Sequence, residues 1–491
     1  MDKSDDELRL SATDAWTCRR VGGYTEDMKW VGDTIGILAS FGAFVGTLPH
    51  GFIRALQLLI LLASVLLVGL PQLQSSFDAS RRFAGVKEAD SESVNNALEV
   101  ARCAHTTGTW LVRACENRRF MPFGGDDPGQ PLLLSLWARL AHRDMTVMDA
   151  AQLNLVINAT GLVILAITLL SLGAFATSVA VLLLGPYVFL EWFGPSHHWA
   201  LLGTASMMVV LPLGLISRAR NWPSPAVWRT LLAVGLLCLT FAALLREVVA
   251  SMGLLITICA AAWTVRHGPR DPRHLAGTLV IVVAAVLASQ SSRLVAGARD
   301  WTYSLDSSQL PATHGISHTL YIGLGGVENK FGIKYLDVVG SDAVAAAVPG
   351  IVWNSNDYYR VIRGLYFQKW REDPQEVVRI YFEKLKLLLS DSILASAPPL
   401  GLLIVLVIAI QILTSHGRGA AGDPKAGARL AINLIALGFV GLFAAQATLA
   451  TPSLLYNLPQ GPFILVPGGI AMENLAASIW RVATASRAKP V

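Results

Sequence analysis

Apolar runs of about 20 residues recur along this chain, each long enough to cross a hydrocarbon layer about 30 Å thick. The clearest early one lies within Gly51 to Leu70 and reads LQLLILLASVLLVGL. Nothing in the hydrocarbon can bond to exposed peptide groups, so such a run must close its own hydrogen bonds as a helix. Composition points the same way. Of the 491 residues 53% are hydrophobic and 15% charged, against about 25% charged in soluble domains. The mean hydropathy is +0.50. A formal charge of +5 is too small and scattered for a nucleic-acid footprint.

The runs number about ten by their length: 51–70, 151–172, 174–191, 200–217, 230–246, 250–265, 277–291, 394–414, 428–449 and 461–480. The expected fold class is therefore an all-α polytopic membrane protein. Four parts follow: 1–50, a charged segment whose run Thr34 to Val45 suits an interfacial helix; 51–291, the first seven spans; 292–393, a large loop; and 394–491, the last spans and tail.

Lys and Arg collect in cytoplasmic loops. Arg218 to Arg229, Arg266 to Arg273, Arg418 to Arg429 and the tail Arg481 to Lys489 are the basic connections. With ten spans and both termini cytoplasmic, all four fall on one side, and the long loops 71–150 and 292–393 fall outside. That outer side is expected to be oxidising, permitting a bridge between Cys103 and Cys115. The long loops carry amphipathic stretches at 92–119, Pro131 to Leu140 and Glu372 to Ser390, suited to a membrane interface or to a folded external layer.

The sharpest local motif is Gly124-Gly125-Asp126-Asp127-Pro128-Gly129-Gln130-Pro131. Glycines and prolines around two carboxylates build a tight turn, and crowded carboxylates can serve as general bases. The plain alternative is a solvated turn capping the next helix. Glu191-Trp192-Phe193-Gly194-Pro195-Ser196-His197-His198-Trp199 puts titratable groups at the mouth of two spans. There His197 and His198 could donate to a phosphate, and Glu191 with His198 could help hold Mg or Mn; the alternative is an aromatic belt with wet histidines. Arg246 and Arg293 end apolar runs. Each suits a phosphate oxygen, or else snorkels to lipid headgroups. His314 and His318 read as a surface loop pair. Asn158-Ala-Thr160 lies inside a span and is no glycan acceptor.

The block GGDDPGQPLLLSLWARLAHRD, following the first span and leading into a helix, resembles the first-loop element of the GT-C class of membrane glycosyltransferases, which includes the protein O-mannosyltransferase and aminoarabinose transferase families. The second long loop has that class's placement as well. Asp127 stands where Glu is common there, and Gln130 where an aromatic or His is frequent. The resemblance implies a GT-C-like fold, a first-loop aspartate as base (Asp126 or Asp127), and a polyprenyl-phosphate sugar donor. It further implies a glycan, lipid or protein acceptor at the external face, with donor phosphate contacts from His197 or His198, to which Arg293 and Arg246 add candidate cations. The lack of an evident targeting segment and of usable external sequons fits a bacterial inner membrane with a periplasmic site. A lipid-linked glycan flippase and a glycan polymerase or ligase are the alternatives. The flippase predicts polar groups in mid-span, whereas the spans here read as nearly all Leu, Val, Ala and Ile.

Overall fold

A computed structural model describes residues 92–115, 121–122, 127–185, 201–305, 316–390, 424–452 and 460–487, with isolated helical positions in 57–74 and 401–409. The chain divides into two compact units, 1–53 with 476–491 and 54–475; the second is described here. Among the described residues the regular structure is helical apart from a two-residue antiparallel ladder, β1 (Val112–Arg113) against β2 (Met121–Pro122).

Among the described residues six helices are long and apolar enough to cross a membrane, which makes this a helical membrane protein. They are α3 (Val147–Ser171), the broken span α5 (Leu201–Met207) plus α6 (Val210–Arg220), α7 (Pro225–Leu245), α8 (Glu247–His267), α9 (Pro272–Ser289), and Arg429–Leu449 within α15 (Pro424–Leu449). They correspond to six of the ten expected runs. Of 174–191 the described part is α4 (Phe175–Gly185), and 461–480 lies in α16 (Gln460–Arg487). The runs 51–70 and 394–414, like the interfacial stretch 34–45, fall largely or wholly outside the described residues.

Local chemistry sets the helix starts. Thr146 and Asp149 form a reciprocal capping box on α3, and Ser224 caps α7, with Pro225 in its first turn. Both satisfy amides that otherwise lack a partner. The spans share one large apolar core. Its tightest crossing joins α3 to α5. A Cβ on Gly161 would lie 2.2 Å from the Gly203 carbonyl oxygen, and one on Gly203 2.3 Å from that of Ile157. Only glycine permits this approach, and small residues are what let membrane helices pack backbone to backbone. Asn158, on the same face, accepts from the Gly203 amide at 2.8 Å.

Two smaller cores sit at one end of the bundle. The first loop folds α1 (Glu92–Thr107) on α2 (Gly129–Ala141) through Val94, Ala97, Ala101, Leu134 and Ala138. The expected helix over 92–119 is cut short: Gly108 adopts φ +72°, the ladder follows, and Cys103 and Cys115 are bonded to each other. Arg139 of α2 donates to the Ala104, Gly108 and Thr109 carbonyls, closing the end of α1.

The second is the unit 316–390: α11 (Ile316–Gly323), α12 (Asp337–Ala347), α13 (Asn356–Glu372) and α14 (Pro374–Ser390). Its core is aromatic and aliphatic, with Tyr321, Tyr358, Ile362, Tyr366, Val377 and Ile380. This is the folded layer that the amphipathic pattern left open. The fully buried Lys384 of α14 ties it to the end of α15, donating to the Gly323, Leu449 and Ala450 carbonyls at 2.8, 3.1 and 2.7 Å. Three donors meet three acceptors at two helix C-termini, where orphan carbonyls favour a cation.

His318 corrects the surface-pair reading. It is buried in this core, with Nδ1 2.6 Å from the Tyr358 hydroxyl and Nε2 3.1 Å from an Asp337 oxygen. Burial pushes the Tyr358 hydroxyl well above its ordinary range, so it stays neutral. His314 lies outside the described residues.

Candidate functional site

The joint between α7 and α8 is where the first-loop motif arrives. Arg246 ends α7 and opens α8 with extended backbone, and it offers α8 no side-chain cap. Asp127 supplies one from 120 residues away. Its Oδ1 accepts from the Glu247 amide at 3.1 Å, and its Oδ2 lies 3.3 Å from Arg246 Nη1. The Asp127 side chain is 6% exposed and that of Arg246 14%. The solvated-turn alternative is thereby overturned for Asp127. It does not cap its own helix either, because Pro128 holds that position without a side-chain bond.

The rest of the motif explains why the turn sits there. A Cβ on Gly129 would lie 2.7 Å from the Leu244 carbonyl carbon and 2.8 Å from its oxygen, so the start of α2 rests directly on the last turn of α7. Buried Gln130 donates through Nε2 to Asn154 Oδ1 of α3 at 3.0 Å, and Leu133 packs against Ile157 and Leu245. Contacts with α3, with the last turn of α7 and with the α7–α8 joint thus set the position of one short turn.

A second ion pair extends the row. Arg293, at the start of α10 (Ser291–Tyr303), lies 3.0 Å from Glu247 and remains 60% exposed. Asp127, Arg246, Glu247 and Arg293 therefore alternate in sign along the bundle end. At the other end of α10 the Tyr303 hydroxyl accepts from the Trp110 amide at 2.9 Å, so both loops meet over this face. A buried pair costs desolvation unless its remaining bonding capacity is met; the Glu247 amide contributes here. The outcome is an Asp127 carboxylate fixed on the buried Arg246, with the exposed Arg293 held beside it through Glu247.

Of the residues expected to form a site, Asp127, Arg246 and Arg293 come together. Arg246 is not a snorkelling side chain but a buried partner. Asp126, Glu191, His197 and His198 lie outside the described residues, and with them the expected metal contacts. Among the described residues no cluster of three or more His, Cys, Asp or Glu side chains is placed to hold a metal ion. Glu247 and Asn154 were missed. Their signals were an Arg-Glu pair splitting two apolar runs and an amide inside a third.

A further polar group stands within the bundle. Glu473 of α16 accepts from the Thr177 amide and hydroxyl at 2.8 and 3.0 Å and pairs with Arg429 at 3.1 Å; Arg429 also donates to Asn474. Glu473 and Asn474, like Asn154 and Asn158 of α3, are polar residues inside apolar runs. Comparison with protein-family models, with curated proteins and with solved structures gave no match.

Proposed function

We propose that this chain is an integral-membrane glycosyltransferase that moves a sugar from a polyprenyl-phosphate donor to an acceptor hydroxyl at the face carrying the Asp127–Arg246 pair. The carrying observation is the docking of the first-loop motif onto the α7–α8 joint beside Arg293. Both Asp127 oxygens are engaged, which favours Asp126 as the general base and gives Asp127 the task of fixing the turn. The base takes the proton from the acceptor hydroxyl as its oxygen bonds to the anomeric carbon. The bond from that carbon to the phosphate oxygen breaks, and the lipid phosphate leaves with the electron pair. Arg293, exposed beside the row, suits stabilisation of that leaving group, since a guanidinium meets phosphate oxygens in bidentate geometry. In this reading the active face is periplasmic, in a bacterial inner membrane, and the termini are cytoplasmic. A divalent cation would be held by Glu191 and His198.

The test is release of free polyprenyl phosphate from a panel of lipid-linked sugars by purified protein in nanodiscs. Wild type is expected to turn over at least one donor and Asp126→Asn none, while Arg293→Ala loses turnover with its fold intact. Unchanged turnover in Asp126→Asn and Asp127→Asn would sink the assignment. The second reading, a lipid-linked glycan flippase, draws on Glu473 and Arg429, since ionisable groups within spans commonly mark transport pathways. Lipid translocation without sugar transfer would favour it.

A further inference from the structure

Helix α14 has two apolar faces, where a helix on a folded domain ordinarily needs one. Val377, Ile380, Lys384 and Leu388 are buried in the 316–390 unit and against α15. Val378, Phe382, Leu385 and Leu389, spaced four, three and four apart, form a second stripe that is open, with Phe382 64% exposed. At 1.5 Å per residue this stripe is about 16 Å long. Arg379 and Lys386 flank it on one edge, each paired within the helix, to Glu376 and Glu383.

The height of this stripe is set by the fold. Lys384 bonds the Leu449 carbonyl, the last residue of the α15 span, and that of Ala450 just beyond. The middle of α14 is therefore level with the end of a membrane-crossing helix. Past that point the helix opens on several sides, with Leu385, Leu387 and Leu389 all exposed. Leu389 then meets the apolar run 394–414, where a Cβ on Gly401 would lie 3.2 Å from its carbonyl oxygen. Leu402, Val405, Leu406 and Ile408 in that run are exposed too. The open stripe is thus continuous with surface that a bilayer must cover.

We propose that α14 is a lipid-embedded helix. Its Val378–Phe382–Leu385–Leu389 face lies among the acyl chains at the boundary of the leaflet on its own side, and it holds the 316–390 unit down on the membrane surface. The unit carries nearly balanced charge, so its attachment rests on apolar burial rather than on attraction to anionic headgroups. The inference stands on the membrane reading alone and is independent of the sugar-transfer chemistry.

The test uses the full chain in nanodiscs of zwitterionic lipid. Cys18, Cys238 and Cys259 are replaced by Ser, the Cys103–Cys115 bridge is kept, and single cysteines are spin-labelled at 378, 382, 385 and 389. Arg363→Cys, on the charged exposed face of α13, is the aqueous control. Every labelled position is already exposed, so the labels leave the core intact. Oxygen partitions into acyl chains and a nickel chelate into water. The ratio of oxygen to nickel collisions is expected to be severalfold higher at 382, 385 and 389 than at 363, and to stay so in anionic lipid and in high salt. Water-like ratios along the stripe would overturn the proposal. So would labels shielded from both reagents with spin–spin broadening between chains, which would mean that a second copy covers the face.

Discussion

Replacing Asp127 by alanine removes an acceptor from the Glu247 amide and leaves the Arg246 guanidinium without that carboxylate in a buried setting. At 3.3 Å and an effective dielectric of about 20, Coulomb's law gives about 5 kcal/mol between unit charges. Desolvation in the intact protein offsets much of this, but truncating one member of a buried pair costs about 3–5 kcal/mol, because the surviving charge stays buried. Loss of the cap on α8 adds about 1 kcal/mol. Asp127→Asn keeps the Oδ1 acceptor for the Glu247 amide but sets its Nδ2 against Arg246 Nη1 and leaves that charge buried, so its cost is expected below that of alanine only by the retained cap, about 1 kcal/mol. The assay is reversible unfolding by SDS titration in mixed micelles, run as a double-mutant cycle with Arg246→Met. The double variant should be destabilised by clearly less than the two single changes together, since it leaves no orphan charge. Hydrogen exchange should quicken at the first amides of α8 in Asp127→Ala. A loss within about 0.5 kcal/mol, the usual range for a surface change, or strict additivity in the cycle, would refute the claim that this pair fastens the first loop to the bundle.

Two further outcomes follow from the same contacts. Gly161→Ala should push α3 off α5 and break the Asn158 bond to the Gly203 amide; overpacking costs about 1–3 kcal/mol, read as a lower SDS midpoint, and an unchanged midpoint would contradict the close crossing. In the 316–390 unit the Arg379 guanidinium holds Glu376 down to about 2, against an ordinary 4.5. A depressed carboxyl stabilises the fold above its unfolded value and loses that contribution as pH falls through the folded one, so protection of this unit from protease should decline between about pH 4.5 and 2, and less steeply in Glu376→Gln.

The chain's letters carry the helical membrane class, because a run of apolar residues in lipid has one way to satisfy its backbone. They carry six of the spans to within a few residues, since caps such as Thr146 and Ser224 and prolines such as Pro225 mark helix starts locally. They also mark the DDPGQ turn, with its glycines and prolines, as a place where backbone and carboxylates are specially arranged. They do not say whether an Asp in such a turn faces water or a buried arginine, as the two cases share one local sequence.

Pairing is what tertiary structure alone decides. Asp127 finds Arg246 and the Glu247 amide more than a hundred residues on, because Gly129 lets α2 rest on the end of α7. Lys384 stands in sequence as one charge among apolar neighbours a helical turn away, Ile380 and Leu388, and it is fully buried because two helices bring three carbonyls to the same point. His318 passes for a loop residue until Tyr358 and Asp337 close around it. Hydropathy is a property of each residue and can be read along a line, whereas the partner of a charge is a property of distance in space, and that distance exists only once the helices have packed.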